Sequence, residues 1–122
     1  MLVVEDNALV TSALRILLED AGFRVSTASR VGEAYEVCRS DQPDVVLLDL
    51  RLPDGDGLTL LTRLRADGGF VPVVAALTGR DEPEVRERCR RAGCVDVLVK
   101  PVDVRSLGTL VRSWLAAPQS PA

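Results

Sequence analysis

Length, composition and charge describe a single globular domain and exclude several functions. With 122 residues, 47% of them hydrophobic and 27% charged, the chain can build one core. The net charge of −3 is mild and the basic residues are scattered, so we expect no direct nucleic-acid binding. No apolar run is long enough to span a bilayer and no signal peptide is recognisable, which predicts a cytoplasmic protein with no membrane contact.

Two residue types are unusually scarce. The chain has no histidine, which removes the commonest general base and the commonest transition-metal ligand. Its single lysine among 15 basic residues is Lys100, which follows an aliphatic run.

The three cysteines are odd in number and lack CxxC spacing, so we expect packed thiols in a reducing compartment: Cys38, Cys89 and Cys94.

Strand and helix patterns alternate from the first residues onward. Residues 2–4 are an aliphatic strand, and Asn7 is a suitable N-cap for a helix that ends at Gly22. Residues 23–27 alternate as in a half-exposed edge strand, and a weaker helix ends before Pro43.

The second half begins with the most regular strand of the chain. Four aliphatic residues precede Asp49, a pattern typical of a strand buried on both faces. The elements predicted after it are a loop at 50–57, a helix from Leu58 to before Asp67, a strand at 71–77, a helix with Pro83 in its first turn and Asp81 or Glu82 as its cap, a strand at 95–99, and a last helix capped by Asp103.

Five strands alternating with five helices predict an open parallel sheet covered on both faces. A closed eight-fold barrel needs about twice this length. We therefore predict an α/β fold: a single-domain, doubly wound, five-stranded parallel sheet of order 2-1-3-4-5 with five helices (flavodoxin-like). The domain is expected to cover residues 1–116, with 117–122 as a C-terminal tail or the start of a linker.

Polar residues close four of the five predicted strands: Glu5 and Asp6, Asp49, Thr78, and Lys100. In the predicted fold these strand ends meet at one edge of the sheet. Clustered carboxylates repel one another unless a cation is present, and oxygen-only ligands select Mg²⁺ or Mn²⁺. A carboxylate beside such an ion, with a hydroxyl and an ammonium nearby, is suited to attack phosphorus.

Simpler interpretations stand beside this one. Asp49 is also explained as a solvated strand terminus and Lys100 as an ordinary surface lysine. Glu5 and Asp6 are also explained as acids that favour the positive end of the first helix.

Taken together, five segments resemble the response-regulator receiver domain of two-component signalling from about residue 2 to 115. They are residues 3–7, 44–53 with the Asp-Gly-Asp-Gly that follows, 77–79, 92–93 and 99–101.

The resemblance implies that Asp49 accepts a phosphoryl group from a phosphohistidine on a histidine kinase or phosphotransfer protein. Thr78 would swing towards the phosphoryl group and Lys100 would pair with it, with Lys100–Pro101 as a cis peptide. The implied switch alters partner binding through the fourth helix, fifth strand and fifth helix, with a homodimer as one form. The implied magnesium ligands are Glu5, Asp6, Asp49 and the backbone carbonyl of Arg51.

The sequence departs from the receiver pattern at the fifth strand. Val97 stands where receivers often carry a tyrosine or phenylalanine, so a signal would have to travel through backbone and helix shifts. Arg51 and Arg80 lie where receivers tune dephosphorylation. Met1 lies inside the expected first strand, which suggests that residues are missing upstream.

Three other functions compete with a phosphorylated receiver. A haloacid-dehalogenase-type phosphatase also uses an aspartyl nucleophile, Mg²⁺ and a lysine, but it needs an Asp-x-Asp pair that Asp49-Leu50-Arg51 lacks. A flavodoxin-like FMN binder needs a phosphate loop after the first strand, and none follows it. A degenerate receiver would bind partners without phosphorylation, which the intact acidic set argues against.

Overall fold

Five short parallel strands form the central sheet of the computed structural model, which describes residues 1–116. The strands are β1 (Leu2–Val4), β2 (Ser26–Ala28), β3 (Val45–Asp49), β4 (Val73–Thr78) and β5 (Asp96–Val99). Their order is β2-β1-β3-β4-β5, which confirms the predicted doubly wound α/β fold of order 2-1-3-4-5. The tail predicted at 117–122 lies outside the described residues.

Five helices in the described part of the chain cover both faces of the sheet. They are α1 (Ala8–Asp20), α2 (Val31–Asp41), α3 (Thr59–Ala66), α4 (Pro83–Ala92) and α5 (Val104–Ala116). Apolar side chains of α1 and α5 share one core cluster with one face of the sheet, and those of α2, α3 and α4 share the other. Within residues 1–116, no helix is both long and apolar enough to cross a membrane.

Strand β3 is buried along its whole length, as its aliphatic run predicts. Leu47 packs in the cluster beneath α1 and α5, and Leu48 packs in the opposite cluster. Burying each of these side chains stabilises the fold by about 1.5–3 kcal/mol. The strand is therefore held firmly from both sides up to Asp49, its last residue.

The structure corrects three predicted element boundaries. Strand β4 begins at Val73 rather than at residue 71, because Pro72 has no N–H and the first ladder bond runs from Val73 N–H to Asp44 carbonyl (3.0 Å). Strand β2 begins at Ser26, so only the end of the predicted stretch pairs with β1. The predicted loop at 50–57 contains a short antiparallel hairpin, in which Arg51–Leu52 pairs with Gly55–Asp56.

The helix ends follow the predicted signals with one exception. Asn7 caps α1 by accepting the N–H groups of Leu9 (3.0 Å) and Val10 (3.1 Å). Glu82 holds the N-cap position of α4 without a side-chain hydrogen bond to the helix, and Asp81 pairs with the Arg86 guanidinium instead. An acidic side chain before Pro83 is thus engaged by an arginine rather than by the helix backbone.

Candidate functional site

Strand register brings two buried acids together at the carboxyl edge of the sheet. Val4 of β1 pairs with Leu48 of β3, so the residues that follow, Glu5 and Asp49, are neighbours. Both are buried, at 3% and 6% exposure, whereas Asp6 is exposed. One carboxylate oxygen from each of the three acids lies within 4.8 Å of the others. The predicted acidic cluster is therefore present.

Lys100 reaches both buried acids. Its Nζ lies 2.6 Å from Glu5 Oε2 and donates to Asp49 Oδ2 at 2.9 Å. The backbone of the same residue is anchored to the sheet, because its N–H donates to the Thr78 carbonyl at 2.7 Å. The Lys100–Pro101 peptide is cis, as the resemblance implies. The interpretation of Lys100 as an ordinary surface lysine is therefore wrong.

The electrostatics of the cluster reflect burial and mutual contact. Burial raises the pKa of Glu5, the nearby ammonium of Lys100 lowers it, and the Asp49 carboxylate raises it again, with a net increase. Burial alone would lower the pKa of Lys100, but contacts with Glu5 and Asp49 outweigh it and raise that pKa. The ammonium therefore stays charged at neutral pH, while a negative charge on Glu5 is partly disfavoured.

The cluster fits a hard divalent cation. All of its side-chain donors are oxygens, the ligand type that such ions prefer. Among the described residues, Glu5 Oε2 is a buried side-chain oxygen without a hydrogen-bond partner, and the Lys100 ammonium lies 2.6 Å from it as an ion pair. One ammonium balances only one of the three clustered carboxylates, and carboxylates this close repel one another unless further positive charge is present. Glu5, Asp6 and Asp49 can together bind a metal ion.

Thr78 ends β4 with its hydroxyl turned to the following loop. The side chain is 8% exposed, and Oγ1 donates to the Arg80 carbonyl at 3.2 Å and accepts the Arg80 N–H at 3.1 Å. The hydroxyl is thus at the predicted edge but bonded to the loop rather than to Asp49.

Two hydrogen bonds fix the start of the loop after Asp49. The Arg51 N–H donates to Asp49 Oδ1 at 2.9 Å, and the Gly57 N–H donates to the Leu50 carbonyl at 3.0 Å. Gly57 lies so close to the Asp49 carbonyl that a Cβ at this position would overlap it. Glycine is therefore required at residue 57 by close backbone approach.

These side chains line an open cleft of about 630 Å³. Its lining also includes Arg80 and Arg88, and Arg88 pairs with Asp56 of the hairpin. Neither the close approach of Gly57 to Asp49 nor the place of Arg88 in the cleft lining was predicted from the sequence. The Asp-Gly-Asp-Gly run was the available signal for the first, since acids alternating with glycines mark a tightly folded turn.

An open doubly wound parallel sheet of this strand order, with a cleft at its carboxyl edge, defines the class of flavodoxin-like α/β proteins. Comparison with protein families narrows the class, because residues 1–112 match the response regulator receiver domain. The chain belongs to this family of two-component signalling modules.

Individual relatives agree with the family match. The transcriptional regulatory protein PhoP of Escherichia coli is 36% identical over 107 residues, which cover 88% of this chain and 48% of that protein. The virulence transcriptional regulatory protein PhoP of Salmonella typhimurium is 36% identical over 107 residues, covering 88% and 47%. The chain therefore spans about half the length of the curated relatives it matches.

Solved structures show the same fold. The BeF3-activated receiver domain of RstA from Klebsiella pneumoniae has a TM-score of 0.85 and 29% identity, with 95% of this chain and 97% of that chain covered. The chemotaxis protein CheY4 of Vibrio cholerae has a TM-score of 0.84 and 25% identity, with 92% and 94% covered. These matches give no support to the phosphatase or the FMN-binding alternative.

Proposed function

We propose that Asp49 is the phosphoacceptor and takes a phosphoryl group from a phosphohistidine of a histidine kinase or phosphotransfer protein. The observation that carries this proposal is the Lys100 ammonium, 2.9 Å from Asp49 and 2.6 Å from Glu5 in the open cleft. A buried carboxylate beside a fixed positive charge is suited to receive an anionic group from a partner.

In the proposed reaction, a carboxylate oxygen of Asp49 attacks phosphorus. The bond between phosphorus and the donor imidazole nitrogen breaks, and its electron pair returns to that nitrogen. Lys100 offsets the charge on the phosphoryl oxygens, and the Thr78 hydroxyl leaves the Arg80 carbonyl to donate to one of them. Slow hydrolysis later regenerates Asp49 and releases phosphate, so the domain acts as a switch rather than as a turnover enzyme.

Four oxygen donors are proposed to hold Mg²⁺, with Mn²⁺ as a substitute: Glu5, Asp6, Asp49 and the backbone carbonyl of Arg51. The support is the cluster of three acids, whose negative charge the single Lys100 ammonium only partly offsets. When bound, the ion supplies positive charge to the phosphoryl oxygens. Asp49 then needs no proton transfer, because its carboxylate is already the attacking species.

The proposed output is a change in partner binding through α4, β5 and α5. Val97 of β5 is half-buried and has no ring to rotate, so backbone and helix shifts must carry the signal. The PhoP relatives are named transcriptional regulators and are about twice as long. We extend that role to this chain: residues 1–116 form the receiver unit, residues 117–122 are a tail or the start of a linker, and the downstream partner is an output unit or a second copy.

The test is intact mass spectrometry after incubation with acetyl phosphate and Mg²⁺. We expect the mass to rise by one phosphoryl group, and we expect Asp49→Asn or removal of Mg²⁺ with EDTA to abolish the gain. Asp44→Asn is the matched control, because Asp44 precedes the same strand at its opposite end and is exposed. No gain in the wild type would favour a degenerate receiver, and a gain in Asp49→Asn would place the phosphoryl group elsewhere.

A further inference from the structure

The turn of the hairpin after Asp49 is fastened to α2 by one side chain. Asp54 Oδ1 accepts the Val31 N–H at 2.8 Å, and Asp54 Oδ2 accepts the Gly32 N–H at 3.1 Å. The residue at the N-cap position of α2, Arg30, makes no side-chain hydrogen bond to the helix. Two of the first-turn N–H groups that a helix leaves unpaired are thus satisfied by a residue distant in sequence.

The hairpin connects Asp54 to the acidic cluster. Asp54 lies in the turn between the two hairpin strands, where Arg51 pairs with Asp56 and Leu52 pairs with Gly55. The Arg51 N–H in turn donates to Asp49 Oδ1. A displacement of the turn would therefore move Arg51, whose carbonyl is a proposed cation ligand and whose N–H orients Asp49.

The other attachment of the hairpin is weaker. Asp56 Oδ1 accepts the Leu58 N–H at 2.9 Å, a contact within the loop, while Oδ2 pairs with Arg88. The side chains of this ion pair are 39% and 55% exposed, and exposed ion pairs contribute little because water screens them. Asp54 is also exposed, but its carboxylate accepts two hydrogen bonds at the positive end of a helix. Leu52 anchors one hairpin strand in the core, and Asp54 fixes the turn of the hairpin to α2.

We propose that Asp54 is a positioning residue for cation binding: by capping α2 from the hairpin turn, it holds Arg51 and Asp49 where Mg²⁺ needs them. The inference rests on the proposed function of the Asp49 site. Residues that orient metal ligands without touching the ion commonly change affinity by about 10- to 100-fold when removed. Because the hairpin keeps its Asp56 contacts, we expect an effect at the lower end of that range.

The experiment is an NMR titration of ¹⁵N-labelled protein with Mg²⁺, read at the backbone amides of Leu50 and Arg51. We expect Asp54→Ala to weaken Mg²⁺ binding about tenfold. Asp54→Asn retains one acceptor oxygen and should fall between Asp54→Ala and the wild type, which keeps the test valid if the alanine variant does not fold. Asp41→Asn at the far end of α2 removes the same charge without touching the hairpin and should bind as the wild type does.

The same spectra separate the possible failures. In the Asp54 variants, the Val31 and Gly32 amide resonances should shift even without Mg²⁺, since their acceptor has changed. Wild-type affinity in a folded Asp54→Ala variant would overturn the positioning role and leave the proposed function intact. Equal weakening of Mg²⁺ binding in Asp41→Asn would show that the change in affinity comes from net charge alone, and it would also overturn the positioning role. Absence of Mg²⁺ binding by the wild-type protein would overturn the metal site itself and this inference with it.

Discussion

Replacing Lys100 by methionine should destabilise the protein in the absence of divalent cations. The substitution keeps the apolar stem and removes the ammonium that lies within 2.9 Å of both buried acids. Removing one partner of a buried ion pair costs about 3–5 kcal/mol. The Lys100 side chain is 29% exposed, so water partly solvates the remaining charges, and we expect about 2 kcal/mol.

Thermal denaturation followed by circular dichroism measures this effect. For a domain of this size, about 2 kcal/mol corresponds to a decrease in Tm of roughly 8 °C. Saturating Mg²⁺ should restore much of the loss, since a cation at Glu5 and Asp49 replaces the missing positive charge. A Lys100→Met protein as stable as the wild type in EDTA would refute the idea that the two acids depend on this ammonium.

The loss of Tm in Lys100→Met should depend on pH, and the pKa of Glu5 determines the direction. Burial holds the pKa of Glu5 above its ordinary value of 4.5, and loss of the lowering influence of Lys100 should raise it further. A carboxyl group with a raised folded-state pKa takes up its proton in the folded protein first as pH falls. The deficit in Tm should therefore be full at neutral pH and shrink as pH falls towards 4.5. A deficit that grows on acidification would contradict this assignment.

Two further substitutions test how the site is assembled. Gly57→Ala should reduce the rate of phosphorylation by acetyl phosphate and lower the Tm, because its Cβ overlaps the Asp49 carbonyl; Gly69→Ala, where a Cβ meets nothing within 4 Å, should leave both unchanged. Thr78→Val keeps the side-chain shape and removes the hydroxyl, so we expect phosphorylation to slow at least about tenfold without a change in Mg²⁺ affinity by NMR titration. An unchanged rate in Thr78→Val would exclude the proposed hydrogen bond to the phosphoryl group.

Patterns of the chain itself predict most of the fold. The aliphatic runs before Asp49 and Thr78 indicate buried strands, and strict alternation with amphipathic helices then favours an open parallel sheet. The parallel arrangement brings the strand ends that carry Glu5, Asp49 and Lys100 to the same edge, which is why their proximity was predictable. The starts of β2 and β4 were less so, because they depend on which neighbour supplies the first ladder bond.

Several contacts that depend on the folded path of loops were not predictable from local patterns. The cap of α2 comes from Asp54, and no signal near Arg30 indicates it. The same holds for the pair of Asp56 and Arg88 and for the approach of Gly57 to Asp49, which depend on the path of the folded hairpin. The direction of the Thr78 hydroxyl also escaped prediction, since a side-chain rotamer is chosen by its surroundings.

Because the Lys100 ammonium lies between Glu5 and Asp49, folding of the domain should not depend on a supply of metal ion. In domains where a metal ion alone neutralises clustered ligands, loss of the ion unfolds the chain. Here a tethered ammonium already offsets part of the negative charge, so we expect the domain to stay folded without the ion and ion occupancy to follow the ambient concentration. A divalent ion at the proposed site would share Asp49 with this resident positive charge, which would favour modest affinity and rapid exchange over permanent retention.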